Sequence, residues 1–96
     1  MFLLLSRYIK PQEVDRWLPE HRAFLDRQYA AGNFIISGPQ VPRTGGVIVT
    51  VDMNREDLER LMQDDPFLRE GVSAYEFIEF SATKRAEWLA KALGSP

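Results

Sequence analysis

The sequence predicts an α+β fold, in which a four-stranded antiparallel sheet carries helices on one face. Three observations support this prediction. Four short segments are rich in apolar, β-branched or aromatic residues, as strands are. Two segments with helical spacing of apolar residues separate the first strand from the second and the third from the fourth. Glycine and proline residues mark the ends of most of these segments.

The first strand and the first helix are predicted near the start of the sequence. Residues 2–9 are mostly apolar and aromatic and are followed by Pro11, which is typical of a strand that ends at a breaker. Residues 12–31 have the apolar spacing of a helix and end at a Gly-Asn pair. Pro19 lies inside this stretch, so it either kinks the helix or begins its main part.

Two strands are predicted on either side of a loop in the middle of the chain. Residues 34–37 form the second strand, and residues 47–51 form the third, which has the highest β-branched content. The loop at 38–46 is rich in glycine and proline. It connects two strands rather than a strand and a helix, so the order typical of phosphate-binding loops is missing.

The second helix is predicted at residues 55–63, where either Asp52 or Asn54 is placed to cap its first turn. A separate short turn then begins at Pro66, with Asp65 as its N-cap. This capping role is the structural alternative to any role of Asp65 in a functional site.

The fourth strand is predicted at residues 72–80, and a C-terminal helix at 83–93. No linker or repeat divides the chain, so we predict a single domain over residues 1–96. Its core covers residues 1–80, and the helical extension covers 82–93.

The order β-α-β-β-α-β is that of a ferredoxin-like fold, with an extra C-terminal helix. Two helices cover only one face of the sheet, yet three of the strands carry apolar residues on both sides. We therefore predict a homodimer through the open face of the sheet, whose two sheets close into a dimeric α+β barrel. Alternatively, the C-terminal helix folds back over this face or clasps the partner.

Composition excludes several classes of function. The chain has 96 residues, a net charge of -2 and no basic run, so we predict no nucleic-acid partner. The apolar start is too short for a signal peptide or a membrane span, so we expect a cytoplasmic protein with no membrane partner. With no cysteine and one histidine, disulfides, thiol catalysis and Cys-ligated zinc are excluded, and we predict no metal and no cofactor, although the composition leaves an oxygen-ligated ion open.

The single histidine, His21, falls within a stripe of apolar residues on the first predicted helix. The other members of the stripe are Val14, Trp17, Leu18, Phe24 and Leu25. Their spacing places His21 on the face that meets the rest of the protein, where a polar ring needs a partner. Imidazole changes charge near neutral pH and is suited to acid–base catalysis. A purely structural histidine is the alternative.

Several short motifs in a fixed order resemble one protein family. They are an apolar first strand, Pro19-Glu20-His21, the strand Phe34 to Ser37 ending in Gly38-Pro39, and Asp65-Pro66-Phe67 followed by Gly71-Val72. Over about residues 1–80 the chain resembles the YCII-related, or YciI-like, proteins. This resemblance implies a ferredoxin-like chain that pairs into a dimeric α+β barrel with a site at the barrel mouth.

The resemblance also implies roles for individual residues. His21 and Asp65 match the pair viewed as the family's active site, and Ser37, Gly38 and Pro39 match the neighbouring wall. Activities in this family and its wider superfamily include dehydrochlorination, lactone isomerisation and cofactor-free oxygenation. The compact loop after Pro39 and the extra helix depart from many relatives, so no particular substrate is implied.

The residues themselves favour similar chemistry. A carboxylate beside a buried histidine orients the ring and stabilises its charged form, so the pair can move a proton between two atoms. We predict a cofactor-independent lyase or isomerase that acts on a small anionic or aromatic molecule, with His21 and Asp65 as catalytic residues. The substrate-binding residues are predicted to be Ser37, Gly38, Pro39, Phe67 and Arg7. The alternative is a non-catalytic dimer that binds a small ligand or a protein.

Overall fold

The computed structural model describes residues 1–93 and consists of a four-stranded sheet with helices packed against it. The strands are β1 (Phe2–Tyr8), β2 (Phe34–Pro39), β3 (Gly46–Thr50) and β4 (Ser73–Glu79). The helices are α1 (Val14–Ala30), α2 (Arg55–Met62), α3 (Pro66–Arg69) and α4 (Glu87–Ala92), and a 3₁₀ turn at Pro11–Glu13 precedes α1.

The sheet has the strand order β2-β3-β1-β4, and all neighbouring strands are antiparallel. In the centre of the sheet, Leu4 of β1 lies opposite Ile48 of β3 and Phe77 of β4. This order places the two strands that follow a helix at the edges of the sheet. The α+β class, the antiparallel sheet and the order of elements predicted from the sequence are confirmed.

The core lies between the sheet and the helices. Phe2 and Leu4 of β1 are fully buried and cluster with Phe24 of α1 and with Leu58 and Met62 of α2. The alternation of β1 puts its even-numbered residues on this face, and the helical repeat puts the apolar residues of α1 and α2 opposite them. This packing fixes α1 along the sheet and thereby places His21.

The other face of the sheet is apolar and only partly buried. We call it the open face and define it by Leu3, Leu5, Ile36, Val49 and Ile78, which alternate with the core-facing residues of their strands. Ile36 is 62% exposed, and the other four are half-buried. Helix α4 contributes no buried residue within the described part of the chain.

Three elements differ in extent from their predictions. Helix α1 runs through Pro19 without interruption, because Pro19 is solvent-exposed and only one hydrogen bond of the helix is lost. Strand β2 continues to Pro39, which an edge strand tolerates because a proline there costs no ladder bond on the solvent side. Helix α4 is shorter than predicted and leaves Trp88 71% exposed.

Two further observations concern the ends of the elements. Asn54, rather than Asp52, caps α2 by accepting a hydrogen bond from the backbone N–H of Asp57 at 2.8 Å. Asp52 instead contacts Arg85 at 2.7 Å, ahead of α4. Over residues 1–93, no helix is both long enough and apolar enough to cross a bilayer.

Candidate active site

His21 and Asp65 meet where α1 packs against α3. His21 Nδ1 lies 2.8 Å from Asp65 Oδ1. The Asp65 side chain is completely buried, and the His21 side chain is 14% exposed. The two residues that the sequence singled out therefore lie within hydrogen-bond distance inside one chain.

The position of Asp65 follows from the local sequence. Asp65 has extended backbone angles at the N-cap of α3, and Pro66 occupies the first helical position, where its fixed φ suits a helix start. Asp65 Oδ1 accepts a hydrogen bond from the backbone N–H of Phe67 at 3.0 Å. The same oxygen thus caps the helix and contacts His21, so the capping role of Asp65 does not prevent its contact with the histidine.

Tyr75 of β4 is the third member of the cluster. Its hydroxyl donates a hydrogen bond to Asp65 Oδ2 at 2.5 Å. Burial, followed by the negative charge of Asp65, raises the pKa of Tyr75 far above the ordinary value for a tyrosine. The phenol therefore stays protonated and remains a donor over the whole physiological range. Tyr75 is not among the site residues predicted from the sequence.

The hydrogen-bond pattern assigns the tautomer of His21. Asp65 accepts from the Phe67 N–H, the Tyr75 hydroxyl and His21 Nδ1. Because an ionised carboxylate only accepts, Nδ1 carries a proton in both the neutral and the charged ring. Within residues 1–93, Nε2 has no hydrogen-bond partner, and His21 borders a cavity. The neutral ring therefore has its lone pair on Nε2.

An aromatic residue fixes the plane of the His21 ring. Phe67 stacks on it with a centroid distance of 4.0 Å and an interplanar angle of 7°. Tyr8 meets Phe67 edge-on with a centroid distance of 6.2 Å. Phe67 is 3% exposed, so the ring is held between a buried aromatic face and the Asp65 carboxylate.

The cavity beside His21 has a volume of about 200 Å³. Ser37, Gly38 and Pro39 line it, as does Phe67, so four of the predicted substrate-binding residues border the same space as His21. Tyr75, Arg22 and Arg43 line the cavity as well, and none of the three is among the substrate-binding residues predicted above.

The structure corrects the placement of Arg7. Arg7 does not line the cavity beside His21. It borders a separate hollow together with Leu5, Ala74 and Glu76. The reason is strand alternation, because an odd-numbered residue of β1 points away from the helices while Ser6 and Tyr8 point toward them.

Ser37 is not arranged as a nucleophile for His21. Its hydroxyl forms a 2.6 Å hydrogen bond with the hydroxyl of Tyr29. An activated serine requires a hydrogen bond to the base through Nε2, and within residues 1–93 His21 Nε2 has no hydrogen bond to Ser37. The arrangement is suited to proton transfer by Nε2. Among the described residues, no three His, Asp or Glu side chains cluster so as to hold a metal ion.

Comparison with known proteins identifies the family. A profile of the YCII-related domain matches residues 1–81. Among solved structures, the chain is similar to 5-chloro-2-hydroxyhydroquinone dehydrochlorinase (TftG) from Burkholderia phenoliruptrix in complex with 2,5-dihydroxybenzoquinone, with 18% identity, a TM-score of 0.63 and coverage of 84% of this chain and 94% of that chain. No curated protein sequence matches significantly. Because the profile spans most of the chain, this protein belongs to the family of YCII-related domains.

Proposed function

We propose that this protein is a cofactor-independent enzyme of the lyase or isomerase type that acts on a small anionic or aromatic molecule. The single observation that carries the proposal is the placement of His21. Its Nδ1 is bound to the buried Asp65 carboxylate, while its Nε2 remains without a protein partner beside a cavity. A ring held this way is oriented for proton transfer at one defined atom.

The proposed step begins with neutral His21. Its Nε2 lone pair takes a proton from a C–H or O–H group of the substrate, and the ring becomes an imidazolium. The Asp65 carboxylate stabilises that charge through the Nδ1 hydrogen bond. The electron pair left on the substrate either expels a leaving group or shifts along a double bond, and in the second case Nε2–H returns the proton to another atom.

The structural similarity is consistent with this type of reaction. The similar enzyme from Burkholderia phenoliruptrix is a dehydrochlorinase and binds a dihydroxybenzoquinone. Dehydrochlorination removes a proton and a chloride, which is one of the two outcomes described above. The cavity of about 200 Å³ matches a single ring, because an engineered cavity of roughly 150 Å³ in another protein holds benzene.

We further propose that the chain works as a homodimer through the open face. The apolar residues Leu3, Leu5 and Val49 are only half-buried within the described chain, so they are available to pack against another apolar face. A second copy supplies an identical face, and two such sheets close into a barrel.

The test combines turnover with a spectroscopic signal. Single-ring hydroquinones and lactones, including 5-chloro-2-hydroxyhydroquinone, are screened for conversion, and the imidazole NMR signals of the single histidine report binding at the site. For any converted compound we expect His21→Gln to lower kcat by about 10²–10⁴-fold. Asp65→Asn keeps the side-chain shape and one accepting oxygen but removes the charge and turns the other oxygen into a donating amide, so we expect a loss in kcat in a folded variant of lower stability.

Two results would contradict the proposal. Turnover that persists unchanged in both His21→Gln and Asp65→Asn would exclude the pair from catalysis. Ligands that shift the His21 signals without any conversion would instead favour the alternative, a non-catalytic ligand-binding dimer. Circular dichroism of each variant shows whether a loss of activity comes from unfolding.

A further inference from the structure

Two arginines at the cavity lack an acidic partner. Arg22 of α1 and Arg43 of the loop at 40–45 line the same space as His21. Within residues 1–93, neither forms an ion pair. The arginines that do pair with a carboxylate are Arg16, Arg55, Arg60, Arg69 and Arg85. Among the described residues, no carboxylate therefore lies within ion-pair distance of these two guanidinium groups.

The loop that carries Arg43 is attached firmly to β1. The backbone N–H of Tyr8 donates to the carbonyl of Thr44 at 2.9 Å. The side-chain amide of Gln40 donates to the carbonyl of Ser6 at 3.0 Å. These bonds tie both ends of the 40–45 loop to the strand, so Arg43 has a defined place beside the cavity.

The Arg43 guanidinium is also oriented. Its Nε donates a hydrogen bond to the hydroxyl of Tyr8 at 3.3 Å. That bond is the main reason why the pKa of Arg43 is raised above its ordinary value, and Asp15 adds a smaller electrostatic contribution. Because Nε is engaged, the two terminal nitrogens remain available, and such a pair matches the two oxygens of a carboxylate.

The rest of the cavity is suited to an apolar ring. Leu18, Leu25 and Ile48 line it together with Phe67. Its volume of about 200 Å³ holds one ring with small substituents. A ligand whose anionic end contacts Arg43 and whose ring contacts these apolar side chains therefore lies beside His21.

We infer that the site selects a single-ring carboxylate, whose carboxylate group is bound by Arg43 in a bidentate manner with Arg22 as a second cation. This inference rests on the proposed function, since it names the substrate class of the same site. Arg43 is the specificity-determining residue. Arg43 binds the substrate carboxylate, whereas His21 transfers the proton.

The test uses benzoate and benzamide, which share one ring and differ in charge. Binding is followed by the imidazole NMR signals of His21 in the wild-type protein, in Arg43→Gln and in Arg27→Gln. Arg27 lies on the exposed side of α1 and does not line the cavity, so its variant removes the same charge elsewhere. We expect wild type and Arg27→Gln to bind benzoate about tenfold more tightly than benzamide, corresponding to about 1.4 kcal/mol, and Arg43→Gln to lose this preference.

Three results would overturn the inference. They are the absence of saturable benzoate binding at millimolar concentration, equal affinities of the wild type for the two probes, and an equal loss of preference in both variants. A failure here is distinct from a failure of the proposed function. If His21→Gln abolishes turnover while the charge preference is absent, the enzyme assignment stands and the carboxylate is wrong. If the preference for benzoate depends on Arg43 but turnover does not depend on His21, the carboxylate specificity stands and the enzyme assignment is wrong.

Discussion

Asp65 joins the stability of the fold to the chemistry of the site. One of its oxygens caps α3 and binds His21, and the other accepts the hydroxyl of Tyr75. A buried carboxylate is tolerated only when such bonds replace its hydration. Deleting the side chain therefore removes structural and chemical contacts at once, whereas asparagine keeps the shape and one accepting oxygen, but it removes the charge and places an amide N–H opposite at least one of these donors.

Tyr75 is expected to give the protein a distinct alkaline pH dependence. Its pKa is raised in the folded state, and in the unfolded chain it releases its proton near pH 10. The stability that this proton contributes is present below pH 10 and is lost as the pH rises above it, because the unfolded state then binds fewer protons. The slope is about 1.4 kcal/mol per pH unit for one group.

Urea denaturation of the wild type and of Tyr75→Phe between pH 8 and 11 measures this effect. We expect the free energy of unfolding of the wild type to fall more steeply above pH 10 than that of the variant. At pH 8 the variant is expected to be less stable by about 1–2 kcal/mol, because Asp65 Oδ2 loses its donor. Parallel slopes in the two proteins would show that Tyr75 titrates normally when folded.

The sequence predicted the two central residues and four residues of the cavity wall, but it did not predict Tyr75 and it misplaced Arg7. His21 was identifiable because a lone histidine interrupted an apolar helical stripe, and Asp65 because Asp65-Pro66-Phe67 resembles a motif of the YCII-related proteins. Tyr75 was predicted to share a strand face with Phe77, and a buried hydroxyl needs a hydrogen-bond partner. That partner is Asp65, which lies 10 residues away in a different element, so the sequence did not reveal it. Arg7 was predicted to bind the substrate, because the sequence alone did not show whether the odd-numbered or the even-numbered residues of β1 face the helices.

At the scale of elements, the 40–45 loop depends on one glycine. A Cβ atom added to Gly45 would lie 1.8 Å from the carbonyl oxygen of Ser6, so no side chain fits there without moving the loop from β1. We expect Gly45→Ala to lower the free energy of unfolding by about 1–3 kcal/mol, as overpacking does. The displaced loop also moves Arg43, so the preference for benzoate is expected to fall.

Gly38→Ala is the matched control for this prediction. A Cβ atom at Gly38 meets no heavy atom within 4 Å, so we expect little change in the urea midpoint. Both variants make the same chemical change next to the cavity, and only the close approach differs. If Gly45→Ala were as stable as Gly38→Ala, the contact between the loop and β1 would not be a constraint.

The order of the helices and strands was predictable from local sequence patterns, whereas the residues at which they end were not. Apolar alternation, helical spacing and breakers are properties of neighbouring residues, so β1 to β4 and α1 to α3 were predictable. The continuation of β2 to Pro39 depends on its edge position, which only the assembled sheet defines. On the predicted apolar side of the C-terminal helix, Trp88 is exposed whereas Leu89 and Leu93 are half-buried.

For the whole molecule, the two faces of the sheet are unequal. The core face is closed by α1 and α2, whereas the apolar side chains of the open face are half-buried or exposed. A chain of 96 residues buries a smaller fraction of its surface than a larger domain does, so an uncovered apolar face is costly. A two-fold homodimer, in which the open faces of two copies pack together, is expected to cover both faces at once.

Val49→Lys tests this assembly, because Val49 lies in the middle of the open face, opposite Leu3 and Ile36. We expect the wild type to sediment as a dimer and the variant as a folded monomer at the same micromolar concentration, since a buried unpaired charge opposes association. Ala23→Lys, on the exposed side of α1, adds the same charge elsewhere and should leave the dimer intact. A monomeric wild type, or dissociation in both variants, would mean that the open face does not pair with itself.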